Sequence, residues 1–196
     1  MARLVALALA LLCIASATSS ASRAAELALG GPALGRPARI DVPDVVLTDQ
    51  RGERRHVMSE LIAGRVAVVS FVFTGCSTVC SAVGANMGEL DRLLGTRVGQ
   101  DVSLISITLD PLGDTPERLA AWRAKFDDSP GWRLLTGEPG RVEQVLHAWQ
   151  QDAPDIAQHD AFLWLHDPRS GGWTRVTALC PPETLAALVM DFSARP

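Results

Sequence analysis

A chain of 196 residues, 47 % hydrophobic and 20 % charged, has the make-up of a globular protein and excludes a disordered or fibrous one. Its formal net charge of −4 leaves no electrostatic footprint for nucleic acid, so that class of partner is set aside.

Residues 1–25 read as a targeting segment. Arg3 is a minimal positive region, Leu4 to Ala15 is an unbroken apolar run, and Ala15-Ser16-Ala17 is a small-x-small cleavage signal. The run is shorter than the ~20 apolar residues that span a bilayer. An uncleaved segment would instead anchor the domain to a membrane. Cys13 follows Leu12 rather than a small residue, which argues against lipidation. Export predicts a periplasm-like compartment, where disulfides can form. Residues 26–40, with Gly30-Gly31-Pro32 and Gly35-Arg36-Pro37, read as a linker, and residues 41–196 as one domain.

Within the domain, strands and helices alternate. A short strand begins at Val45 to Leu47, ahead of the polar turn Asp49-Gln50-Arg51-Gly52, and Ser59 to Ala63 make one helical turn closed by Gly64. Val66 to Phe73 (VAVVSFVF) is apolar on both faces, as a strand covered by helices has to be. A helix follows from about Thr78, with Met87, Leu90 and Leu94 on one face. Val102 to Leu109 (VSLISITL) is the next buried strand. Thr115-Pro116 supplies a hydroxyl cap and a proline at the first helical position, and Leu119, Trp122 and Phe126 give that helix its stripe. Val142, Val145, Leu146 and Trp149 stripe the next helix. Phe162 to Leu165 and Trp173 to Thr177 form a hairpin around residues 167–172, and Pro182 to Phe192 a terminal helix. The order predicts an α/β fold of thioredoxin type: a central mixed sheet flanked by helices, behind an N-terminal extension.

If Cys13 leaves with the export segment, Cys76, Cys80 and Cys180 remain, an odd number that argues against a purely structural disulfide framework. Phe73-Thr74-Gly75-Cys76-Ser77-Thr78-Val79-Cys80 lies directly after the most hydrophobic strand. In open α/β sheets, sites form at the carboxyl ends of strands beside helix N-termini, where the helix dipole favours thiolate. Cys76 and Cys80 are therefore the candidate redox-active dithiol. Two soft thiolates four residues apart suit Cu(I), and an added imidazole extends that to Cu(II).

FVFTGCSTVC, SITLDPLGDTPERL, GWRLLTG and HDAFLWLHDP, in that order, resemble the Sco/SenC family across the domain. The resemblance implies a thioredoxin-like copper-binding protein that helps assemble the dinuclear copper centre of cytochrome c oxidase. It implies Cys76 and Cys80 as copper thiolates and His159 as the third ligand. Ser77 and Ser81 stand where the family commonly has proline. Asp110 and Asp114 match its DPxxDTP segment, which places Asp110 near the site without a ligand role, carboxylate being a hard donor.

Other residues read more plainly. His147 falls on the polar face of its helix, His56 follows two arginines, and both read as surface. His166, the rival to His159, falls on the same strand face as Phe162 and Trp164 and reads as part-buried. Cys180 reads as a small core residue, although its place before Pro181-Pro182 at a helix start would also suit a reactive thiol. Met58, Met87 and Met190 are scattered, with Met87 and Met190 on apolar stripes. The expected function is copper delivery to a cytochrome oxidase subunit, with a thioredoxin-like reductant restoring the dithiol. The rival is a thiol-disulfide reductase acting on the acceptor's cysteines, and a third reading is a peroxiredoxin-like peroxidase. In the last, Thr74 stands two residues before Cys76 where that family needs three.

Overall fold

Residues 66–72 offer water no polar face, so the strand they form must be covered on both sides. The computed structural model describes residues 37–76, 78–126, 130–151 and 161–194. In chain order it contains β1 (Val46–Asp49), β2 (Arg54–His56), a π-helical turn (Val57–Ile62), β3 (Val66–Val72) and α1 (Val79–Leu94). There follow a 3-10 turn (Gly95–Arg97), β4 (Val102–Thr108), α2 (Pro116–Arg123), β5 (Arg133–Thr136) and α3 (Pro139–Ala148). The chain closes with β6 (Phe162–Asp167), β7 (Gly172–Thr177) and α4 (Pro182–Ala194). The strands form one sheet in the order β2-β1-β5-β4-β3-β6-β7. β3, β4 and β5 run parallel, and the remaining pairings are antiparallel. This is the mixed, helix-flanked sheet of thioredoxin type that the alternation predicts.

Side chains along β3 and β4 sort by parity onto the two faces. Val66, Val68, Val72, Val102 and Leu104 face one core with Val83, Met87 and Leu90 of α1, Leu119 and Trp122 of α2, and Leu185 and Val189 of α4. Ala67, Val69, Phe71, Ile105 and Ile107 face the other with Val142, Val145 and Leu146 of α3 and Leu61 and Ile62 of the π-helical turn. Fully burying a Val, Leu or Ile side chain contributes about 1.5–3 kcal/mol, so these two layers supply most of the drive to fold. In the first layer Ser70 and Ser106 pair at 2.5 Å, and the Trp132 indole N–H donates to Ser106 at 2.9 Å, which satisfies the buried hydroxyls.

Two strands lie outside the periodicity argument. β2 is Arg-Arg-His, a charged edge strand with no alternation, and β5 has only four residues. Phe126 stands beyond the end of α2, where it packs on Trp122 with ring centroids 4.7 Å apart. A Cβ at Gly84 of α1 would come within 2.5 Å of the Phe126 ring, so the close approach depends on that glycine. Met190 does not join an apolar stripe: it is 51 % exposed, whereas Met87 is fully buried. Ala38 exchanges backbone hydrogen bonds with Trp173 of β7 at 2.7 and 2.8 Å.

Candidate functional site

Where β3 ends, the chain turns through Phe73-Thr74-Gly75-Cys76, with the Cys76 N–H donating to the Phe73 carbonyl at 3.2 Å. Cys76 stands in this turn ahead of α1, and Cys80 in the helix's first turn. One carboxylate pins the turn to the end of β4. Asp114, 2 % exposed, accepts from the Thr74 N–H at 3.1 Å and from the Thr74 and Thr108 hydroxyls at 2.5 Å each. Asp114 is held in turn by the loop after β4. Its own N–H donates to the Asp110 carbonyl at 2.8 Å, and the Gly113 N–H donates to the Asp110 side chain at 2.9 Å. A Cβ on Gly113 would lie 2.1 Å from Asp110 Oδ2, so a side chain there displaces the Asp110 carboxylate from its place over the loop.

Thr78 precedes α1 but makes no capping bond through its side chain. Sulfur takes that place: the Cys80 N–H donates to Cys76 Sγ at 3.4 Å, and the Thr78 hydroxyl lies 3.6 Å from the same atom. The positive end of a helix favours the charged thiolate here. Burial pushes the Cys76 thiol up, but hydrogen bonds from the Cys80 thiol, from Thr78 and from the Cys80 backbone outweigh it, and its pKa falls below the ordinary 9.0. Cys80 moves the opposite way. Burial, the thiol hydrogen bond to Cys76 and the charges of Cys76 and Asp114 push it up to about 12, against a backbone hydrogen bond at Phe73. One sulfur is part-exposed and ionises more readily than an ordinary thiol; the other is fully buried and holds its proton. The first can attack or bind a soft cation, and the second can follow it on losing its proton.

His159 lies outside the described residues. His166 is buried against Trp173, with ring centroids 4.8 Å apart, and its Nδ1 is 3.0 Å from the Arg65 carbonyl. It pairs with Ala67 at the start of β3, the opposite end of the strand from Cys76. Among the described residues no group of three His, Cys, Asp or Glu side chains is disposed to hold a metal ion. Cys180 is buried in the core, where burial raises its pKa. The Asn86 side chain ties the segment before α4 to α1, donating to the Ala178 and Cys180 carbonyls at 2.9 and 3.2 Å. His147 and His56 are exposed, and His56 lies 3.4 Å from Asp44. Sequence reasoning placed Asp110 near the dithiol and gave Asp114 no task, yet Asp114 is the residue that fastens the turn. Its signal was the Thr74–Asp114 pairing of a loop hydroxyl with an acid, which only the β3–β4 register brings together.

A family model described as SCO1/SenC matches residues 38–192. The chain is 32 % identical over 111 residues to a SCO1 protein homolog of Bacillus subtilis, an alignment covering 56 % of each. Across the first curated relatives the chain covers only 53 % to 63 % of their length. Among solved structures it superimposes on a SCO1/SenC family lipoprotein from Bacillus anthracis with a TM-score of 0.66 at 28 % identity, covering 81 % of this chain and 98 % of that one. Bradyrhizobium japonicum ScoI, solved with copper bound, gives 0.65 at 24 % identity over 79 % and 99 %, a likeness of fold.

Proposed function

The chain belongs to the SCO1/SenC family, and from that premise we propose that it carries copper. Cys76 and Cys80 take up the ion as thiolates, His159 completes the set, and the ion passes by ligand exchange to a thiolate-rich acceptor. The acceptor on this reading is the cytochrome c oxidase subunit that houses the dinuclear copper centre. Residues 1–25 export or anchor the domain, and the dithiol works on the periplasmic side. The single observation that carries the reading is the pair of soft sulfur donors at the start of α1, one of them with its pKa drawn below the ordinary thiol value. Binding displaces the Cys80 proton, so uptake strengthens as pH rises.

The test is a Cu(I) titration of the reduced protein against a competing chelator, beside Cys76→Ala, Cys80→Ala and His159→Ala. The expected result is one copper per chain, weakened by each substitution. Absence of tight binding, or binding indifferent to His159, overturns the three-ligand site.

The inequality of the two thiols supports a second reading, reduction of a disulfide in the acceptor. The Cys76 thiolate attacks one sulfur of that disulfide and expels the other as a thiolate. Cys80 then loses its proton and attacks Cys76, releasing the second acceptor thiolate; the acceptor gains two electrons and this chain ends as the Cys76–Cys80 disulfide. A thioredoxin-like reductant restores the dithiol. Cys80→Ala is expected to trap the mixed disulfide and Cys76→Ala to give none; failure to trap any adduct sinks this reading.

A further inference from the structure

At the amino ends of β4 and β5, on the far side of the sheet from the dithiol, lies a cavity of about 190 Å³. That is well above the ~10–15 Å³ needed to hold one water. Three arginines line it, Arg55, Arg65 and Arg133, against a single acidic residue, Glu60. They come from β2, from the turn before β3 and from β5, so only the folded sheet brings them together.

The three are not equally compensated. Arg55 is saturated: it bonds Asp49 at 3.2 Å, Glu60 at 2.6 Å, and Glu53 from the solvent side. Among the described residues Arg133 has one partner, Asp49 Oδ2 at 3.0 Å, and shares that oxygen with Arg55. Arg65 donates to two neutral carbonyls, Gln100 at 3.1 Å and Glu60 at 2.7 Å, and no carboxylate pairs with it among the described residues. The acids are already occupied. Glu60 accepts from Arg55 and from the His56 N–H, and Asp49 from the Arg51 and Glu53 N–H groups as well as its two arginines. The result is a recess with spare guanidinium donors and more positive than negative charge on its walls. Burial, with the like charges of Arg55 and Arg51, pulls the Arg133 pKa below its ordinary value despite Asp49.

We propose that this cavity binds a phosphate-sized oxyanion, held by the open edges of Arg65 and Arg133. Planar guanidinium forks match the oxygens of such an ion two at a time, and a recess shields the pairing from solvent. The site is separate from the dithiol and does not depend on the copper reading.

The experiment is a titration of the full chain with inorganic phosphate, followed by calorimetry and thermal melting, with sodium chloride at matched ionic strength as reference. Saturable one-to-one binding and a Tm that rises with phosphate are expected. Arg65→Gln and Arg133→Gln should each weaken the affinity by about tenfold or more, the loss of one charge-assisted contact. Arg65→Gln breaks no ion pair, so it serves if Arg133→Gln does not fold. Phosphatidylglycerol vesicles form a second arm. Co-sedimentation lost in the same variants assigns the phosphate to a lipid headgroup; phosphate binding without co-sedimentation assigns it to a soluble ion. No saturation, an equal Tm rise in chloride, or variants that bind phosphate like the parent chain overturn the proposal.

Discussion

The two ends of the parallel strands are each built around a buried carboxylate, and the two acids are used in opposite ways. At the amino end Asp49 takes hydrogen bonds from the Arg55 and Arg133 guanidinium groups, so its charge is cancelled where it stands. At the carboxyl end Asp114, equally buried, accepts among the described residues only from Thr74 and Thr108, all neutral donors. No cation stands between that carboxylate and Cys80 among these partners, and Cys80 feels its charge. A carboxylate paired with cations is a tie between strands; one paired with hydroxyls and amides is a tie and also a source of field. That field adds to burial and the hydrogen bond to Cys76 in opposing ionisation of Cys80, so Cys76 is the sulfur that ionises first.

The distinction can be tested hardest at the acids themselves. Asp49→Asn is expected to cost about 3 kcal/mol, because it strands the part-buried Arg133 guanidinium, whereas Arg55 keeps Glu60 and Glu53. In a chain of this size that lowers Tm by roughly 6–12 °C. Asp114→Asn keeps an acceptor oxygen, strands no charge, and is expected to cost about 1–2 kcal/mol. It should also lower the Cys80 titration from about 12 by a small step, because burial and the hydrogen bond to Cys76 carry most of the rise, read by thiolate absorbance. Equal losses in the two variants, with Cys80 unmoved, would erase the contrast.

His166 sharpens the comparison at the amino end. Burial holds its pKa below the ordinary 6.5, opposed by the hydrogen bond to Arg65 and the charge of Asp167. The folded state therefore favours neutral imidazole, and the stability this brings is present above 6.5 and lost as pH falls through the lowered value. Urea midpoints are expected to drop as pH falls below 6.5, with a shallower drop in His166→Asn. The dithiol end runs the other way: Cys80 contributes stability that is present below 9.0 and lost as pH rises toward 12. The smallest effect is kinetic. Alkylation at Cys76 should show a midpoint below 9.0 while Cys80 stays unreactive until far more alkaline pH, measured by mass spectrometry of the labelled peptides.

Much of this frame is legible in the amino acids. β3, β4, α1 and the β6–β7 hairpin announce themselves because period and burial agree over several residues, and the dithiol follows because it sits directly past β3. What escaped is short or is held by long-range contacts. β5 has four residues, too few to show a period, and β2 draws its place from hairpin bonds to β1 and not from its Arg-Arg-His side chains. Phe126 carries the right spacing for the α2 stripe but reaches its partner past the helix end. The task of Asp114 depends on a loop 40 residues away from Thr74. No local pattern encodes such a meeting.

The hydrogen bond from the Cys80 amide to Cys76 Sγ makes the reactive atom part of the helix it precedes. Whatever alters that sulfur, whether protonation, alkylation, oxidation or a bound ion, also changes the acceptor of a backbone proton in the first turn of α1. The Cys80 amide resonance is thus an internal indicator of the state of Cys76. Its chemical shift and exchange rate should follow the sulfur through each step, with no label added near the thiol.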